Sequence, residues 1–268
     1  MKTFRTKNYE IRSPKIRDTI GARFAVMTDL HGLEFGEGNR ELISAVYKHK
    51  PDAVLVLGDM IVREQHESLL RAGNMLSELA SRYPVYYALG NHEYKNFTTE
   101  KHRSQYMEYE ENLEKAGVRF LHNQQACLEI AGTKFTFHGL ELPLIYYHKP
   151  NSPKLSLKVM EALIGTPSSE GVHVLLAHNP KYGNTYFSWG ADLILSGHYH
   201  GGVVRLGEHR GLTSPQYILF PPYCCGDFRK GDRQMIVSAG LGEHTIPVRI
   251  NNPRELLMVT MKPLENQE

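Results

Sequence analysis

Imidazole, carboxylate and carboxamide side chains recur in five short polar clusters of this 268-residue chain. They are Asp29-Leu30-His31, Gly58-Asp59, Gly90-Asn91-His92-Glu93, His178-Asn179-Pro180 and Gly197-His198-Tyr199-His200. Such nitrogen and oxygen donors, with no cysteine among them, suit Mn, Fe, Zn, Co or Ni better than an all-oxygen Mg or Ca cage. In Asp-x-His and His-x-His, alternate residues of an extended segment point the same way, so both side chains reach one centre. The glycines before Asp59, Asn91 and His198 let the backbone turn sharply as each apolar run ends. Seven candidate ligands result: Asp29, His31, Asp59, Asn91, His178, His198 and His200. Seven exceed the needs of one tetrahedral ion and suit two ions sharing a carboxylate. Paired ions about 3.5–4 Å apart clamp the attacking and leaving oxygens of an in-line displacement at phosphorus. Each cluster alone has a plainer reading. Gly-Asp is commonly a turn, and Asn91 could simply start a helix. The ordered set of five points to a metal site.

These clusters must be positioned by the elements before them, and each follows a short apolar run with strand character. The runs are residues 24–27, 53–57, 85–89, 172–176 and 193–195. Helical periodicity fills residues 40–49, 67–82, 100–116 and 154–164. Strand and helix alternate through the first half, which predicts βαβ units with buried, largely parallel strands. Later strands are expected at 134–138, 235–239 and 256–261, with fewer helices between them. In open α/β sheets, ligands bind at the carboxyl ends of the strands, where sequence-distant residues converge. One layered domain over residues 1–268 fits this organisation better than two.

Composition narrows the partners. There are 31 Lys+Arg against 29 Asp+Glu, a net charge of +2, which lacks the basic excess of a dedicated binder of long nucleic acid. Hydrophobic residues make up 41%, enough for a sizeable core. Three cysteines, two of them adjacent, build no disulfide framework and suit a reducing compartment. No apolar run approaches the roughly 18 residues of a membrane span, and no signal peptide follows the basic N-terminus. A soluble, cytoplasmic protein is therefore expected.

The five motifs in order resemble those of the calcineurin-like metallophosphoesterases: Asp-x-His, Gly-Asp, Gly-Asn-His-Asp/Glu, a later His, and Gly-His-x-His. The likeness continues through Gly201-Gly202, Arg205 and residues 220–249. That tail looks like the bacterial branch of UDP-2,3-diacylglucosamine hydrolases and related envelope-associated phosphoesterases. The resemblance implies two facing, mostly mixed β-sheets flanked by helices, a four-layer αββα sandwich. It implies two divalent ions, such as Mn, Fe or Zn. Asp29, His31, Asp59 and His200 would hold one, and Asp59, Asn91, His178 and His198 the other. A bridging water or hydroxide would be the nucleophile, and His92 would contact phosphate and protonate the leaving oxygen. Two divalent ions, two aspartates and a hydroxide leave net positive charge for a phosphate ester. Glu93 either orients His92 or a ligand, or is a helix-start carboxylate. The substrate class implied is a small phosphomonoester, phosphodiester or pyrophosphate, with a lipid-linked substrate and peripheral membrane contact as a further possibility. A cyclic-nucleotide phosphodiesterase, a nuclease and a non-catalytic module on the same fold are the alternatives. No obligate protein partner is implied.

Nine of the fourteen histidines lie outside the motifs: His49, His66, His102, His122, His138, His148, His173, His209 and His244. Each reads as a surface or core residue, although His148 and His244 sit in loops that could reach the site. Arg205 reads as a salt bridge or a phosphate contact. The apolar stretches 142–147 and 217–223 read as packed elements or as walls for a hydrophobic part of the substrate. Cys224 and Cys225 read as packing.

Overall fold

The computed structural model describes residues 2–62, 65–149, 151–243 and 248–264. Five strands of one sheet, β1 (Arg5–Arg12), β2 (Ala22–Met27), β3 (Ala53–Val56), β4 (Val85–Tyr87) and β5 (Val118–Phe120), are joined by β12 (Glu255–Lys262). Their order is β1-β12-β2-β3-β4-β5. Strands β2 to β5 are all parallel, as their helical connections require, and β12 returns antiparallel to β2. A second sheet holds β6 (Gln125–Ile130), β7 (Thr133–Leu140), β8 (Val172–Ala177), β9 (Leu193–Ser196), β10 (Gly226–Lys230) and β11 (Arg233–Val237). Its order is β10-β11-β9-β8-β7-β6, with β7, β8, β9 and β11 parallel and an antiparallel strand at each edge.

Strand alternation sends side chains to two different cores. Phe24, Val26, Leu55 and Leu57 meet Phe135, Phe137, Val174, Leu176 and Leu195 between the sheets. Phe24 stands edge-on to Phe135 and Phe137, at 5.3 and 5.5 Å between ring centroids. The opposite residues of the first sheet, Ala25, Met27, Val54 and Val56, pack under α1 (Arg40–His49), α2 (His66–Ala80) and α4 (Glu100–Lys115). Leu175, Ile194, Met235 and Val237 of the second sheet pack under α5 (Leu157–Ile164) and α6 (Gly183–Trp189). Both sheets are therefore buried on two faces, and the expected αββα sandwich is the architecture found. A further short helix, α3 (Asn91–Thr98), begins where β4 delivers the third polar cluster.

Candidate metal centre

Every polar cluster stands just beyond the carboxyl end of its strand. Strands β2, β3 and β4 end at Met27, Val56 and Tyr87; β8 and β9 of the other sheet end at Ala177 and Ser196. The site thus lies across the seam between the sheets. His31 Nε2 is 3.2 Å from His200 Nε2, and His200 Nε2 is 3.3 Å from Asp29 Oδ1. His178 Nε2 is 3.1 Å from Asp59 Oδ2 and 3.8 Å from Asp29 Oδ1. Three groups have ligand atoms mutually within 4.8 Å: Asp29-His31-His200, His31-Asp59-His92 and Asp59-His178-His198. Asn91 is the first residue of α3, and its buried Oδ1 has no hydrogen-bond partner among the described residues.

The carboxylates and imidazoles of this cluster shift one another's protonation. Burial pushes the Asp29 carboxyl up to about 6, with His178 pulling it down and Asp59 pushing it further up. Burial also disfavours the charge on Asp59, but His178, His92 and His31 outweigh it and hold that carboxyl well below its usual range. For His178 burial opposes protonation, yet Asp59 and Asp29 raise it to about 9. Opposite charges thus sit side by side in the cluster, and a cation held there would replace the histidine proton.

The backbone achieves the convergence differently from the extended geometry expected. Asp29, His31, Asp59, His198 and His200 all have left-handed backbone, with φ of 52°, 48°, 53°, 66° and 48°. The side chains of each Asp-x-His or His-x-His pair thus meet through two turned residues rather than through strand alternation. Of the three glycines, only Gly58 turns with positive φ, at 84°. Gly90 and Gly197 are needed for space: a Cβ on Gly90 would lie 2.2 Å from Asp59 Oδ1, and one on Gly197 would lie 2.5 Å from Asp29 Oδ2.

The model of the calcineurin-like phosphoesterase family matches residues 22–202, which run from β2 through the last histidine motif. The chain belongs to that family. A zebrafish (Danio rerio) transmembrane protein with metallophosphoesterase domain is 29% identical over 94% of this chain and 56% of its own length. A metallophosphoesterase of Aquifex aeolicus is 27% identical over 96% of this chain and 92% of its own. The phosphodiesterase YaeI of Escherichia coli is 25% identical over 82% of this chain and 74% of its own. The chain spans about half to two-thirds of the length of three relatives it matches, the zebrafish protein among them. Among solved structures, the sulfate thiohydrolase SoxB of Thermus thermophilus shares the fold, with a TM-score of 0.52 at 14% identity, covering 91% of this chain and 57% of SoxB.

Around the candidate ligands lies a set of residues that hold them in place. His178 Nδ1–H donates to the Leu57 carbonyl at 2.6 Å, which leaves Nε2 as the donor toward a metal. The Asp29 carboxylate accepts from the His198 amide at 3.0 Å and from Thr28 Oγ1 at 2.9 Å. Asp59 Oδ1 accepts from the His92 amide at 2.8 Å. Glu93 is fully buried and accepts from the amides of Asp59, Met60 and Gly90 and from the Tyr87 hydroxyl. It is both the helix-start carboxylate and the clamp on the Asp59 turn, and no contact joins it to the His92 ring. Asn252 Nδ2 donates to the His200 carbonyl at 2.6 Å. Arg249, whose guanidinium burial pushes down to about 10, donates to the Gly242 carbonyl and lies 3.4 Å from His200 Nδ1. Neither Asn252 nor Arg249 was singled out by motif reading. Asn251-Asn252-Pro253 has the composition of a turn, and nothing local marks its contact with a segment about fifty residues away.

Other residues resolve the open alternatives. Arg205 pairs with the fully buried Glu255 at 2.8 Å and is a structural ion pair. His173 is buried against His138, with Nδ1 2.9 Å from His138 Nε2. Cys224 and Cys225 are buried, free thiols. The 142–147 stretch contains a 3₁₀ turn, Leu144–Tyr147, whose Tyr147 ring stands edge-on to His198 at 5.2 Å. With Asn91, His92, Lys95, His148 and Gln216, Tyr147 lines a cavity of about 380 Å³ beside the ligands. His148 thus reaches the site's surroundings; His244 lies outside the described residues.

Proposed function

We propose that this phosphoesterase hydrolyses a small phosphodiester, using two divalent transition-metal ions of the Mn, Fe or Zn class. Asp29, His31 and His200 would hold one ion, Asn91, His178 and His198 the other, with Asp59 shared. The observation that carries the reading is the buried convergence of these nitrogen and oxygen donors from both sheets. The orphaned Asn91 Oδ1 suits such an ion, and so would His178 Nε2 once a cation replaced the proton it holds toward Asp59. When bound, the ions would polarise the phosphoryl oxygens and supply a nucleophilic water near neutral pH.

The chain's own residues do the rest. The Asp59 turn, gripped by Glu93, fixes His92 through the amide that Asp59 Oδ1 accepts. His92 lines the cavity and delivers a proton to the departing ester oxygen as the water oxygen bonds to phosphorus. The cavity walled by Leu144 and Tyr147 gives room for the second ester group, and YaeI, a relative over most of the chain, is named as a phosphodiesterase. The test is elemental analysis together with hydrolysis of bis-p-nitrophenyl phosphate and p-nitrophenyl phosphate. Two bound ions, loss of activity on chelation and faster diester cleavage are expected. Asp59→Asn should lower turnover by about 10³-fold or more, since it disturbs both ions. Chelator-insensitive activity would overturn the metal reading, and faster monoester cleavage would overturn the diester reading.

A further inference from the structure

Leu144, Tyr147, His148 and Lys149 of one segment and Pro215 and Gln216 of another line the cavity beside the metal cluster, and residues 142–159 and 209–223 contain no aspartate or glutamate. They carry Lys149, Lys154, Lys158 and Arg210. They also expose large apolar side chains: Tyr217 at 71%, Leu219 at 67%, Phe220 at 61% and Ile145 at 51%. These are not loose ends of chain. Ser214 Oγ accepts from the amides of Gln216 and Ile218, each at 3.2 Å, and the Phe220 amide donates to the Leu212 carbonyl at 3.0 Å. Gln216 Nε2 donates to the His148 carbonyl at 3.2 Å, joining the two segments. Tyr217 and Phe220 keep left-handed backbone, with φ of 61° and 47°. Bulky residues rarely hold that conformation, and here both rings are exposed.

We infer that this face docks the protein onto an anionic bilayer surface, with the metal cavity opening at the level of the lipid headgroups. The charge pattern favours that occupant. Lys149 Nζ lies 4.9 Å from the centre of the Tyr217 ring, and Arg210 lines an apolar groove together with Phe220 and Pro222. Aromatic rings beside cations match the interfacial zone of an anionic membrane, where apolar area and basic charge add. A second copy docking through the same face would set Lys149 and Arg210 against like charges with no acid in either segment. A nucleic acid would gain nothing from Leu219 or Ile145, and the chain's net charge is only +2. The surface stands apart from which ester is cleaved, and its binding can be read without turnover.

The experiment is flotation of the metal-loaded protein with vesicles of phosphatidylglycerol or of phosphatidylcholine. Binding to the anionic vesicles is expected, at least tenfold weaker to neutral ones and weakened by 0.5 M salt, roughly as screening of surface charge requires. The triple variant Tyr217→Ser, Leu219→Ser, Phe220→Ser should lose at least about tenfold in vesicle affinity while cleaving a soluble diester at the wild-type rate. That retained rate separates a lost surface from a lost fold. No binding to anionic vesicles, or equal binding by the triple variant, would overturn the inference. A wild-type dimer that the variant dissolves would also overturn it, as would capture of single-stranded DNA by this face without vesicle binding.

Discussion

His92 is the one motif histidine that takes no place in the proposed ligand set. Its ring meets His31 edge-on at 4.7 Å, its amide is fixed to Asp59 Oδ1, and its buried Nδ1 has no hydrogen-bond partner among the described residues. A group so held can move a proton without carrying an ion. His92→Asn is therefore expected to keep both ions by elemental analysis. It should slow diesters with alkoxide leaving groups by about 10²–10⁴-fold, the usual contribution of a placed acid. Bis-p-nitrophenyl phosphate, whose leaving group needs no proton, should suffer much less. An equal loss on both substrates would remove the acid role. The identities of these residues were legible as motifs, whereas the left-handed turns that aim them were not. Aspartate and histidine tolerate positive φ better than most residues, but Asp-x-His and His-x-His equally permit an extended segment. The turned backbone of Asp29, His31, His198 and His200 is visible only in the fold.

Between elements, a strongly perturbed group outside the centre is His122, which follows β5. Its Nε2 is 2.6 Å from Glu110 of α4, and its Nδ1 is 2.8 Å from Glu141 at the end of β7. These two carboxylates outweigh burial and raise His122 to about 10. An unfolded histidine titrates near 6.5. The bridge therefore contributes its full stability below about 6.5, declines as pH rises, and is lost once pH passes about 10. His122→Gln should melt lower than wild type at pH 6 and converge with it toward pH 10. Partial exposure limits the effect to about 1 kcal/mol, or about 2–4 °C. A deficit that stays constant with pH would mean His122 acts by packing alone. The sequence pattern could not reveal this bridge, because its partners stand 12 and 19 residues away and meet only in the fold. The same distinction separates the elements themselves. The helix at Arg40–His49 has the bounds its periodicity predicts, since its apolar stripe is local. Strand β1, RTKNYEIR, has a mostly polar face and goes unseen, because its register is set by β12, some 250 residues later.

At the scale of the whole molecule, the centre lies where two separately wound sheets meet. Asp29, His31, Asp59 and Asn91 follow strands of the first sheet; His178, His198 and His200 follow strands of the second. Protein contacts already cross this seam, through His178 to the Leu57 carbonyl and the His198 amide to Asp29. Ions held as proposed would each take ligands from both sheets and so oppose their separation. A ligand that binds only the folded state stabilises it by about 2.7 kcal/mol at a hundred times its dissociation constant. Two such ions give about 5 kcal/mol, and at about 2–4 °C per kcal/mol the metal-loaded protein should melt roughly 10–20 °C above the chelated one. The ligand assignment divides this increment. His31→Ala removes a donor from one ion and His198→Ala from the other, so each variant should keep about half of the rise. Asp59→Asn, which alters the shared carboxylate, should keep almost none, while His92→Asn should keep all of it. Melting curves with and without chelator read these outcomes independently of catalysis. A full rise in Asp59→Asn would mean that the ions do not share that carboxylate, and a rise abolished in His92→Asn would make His92 a ligand.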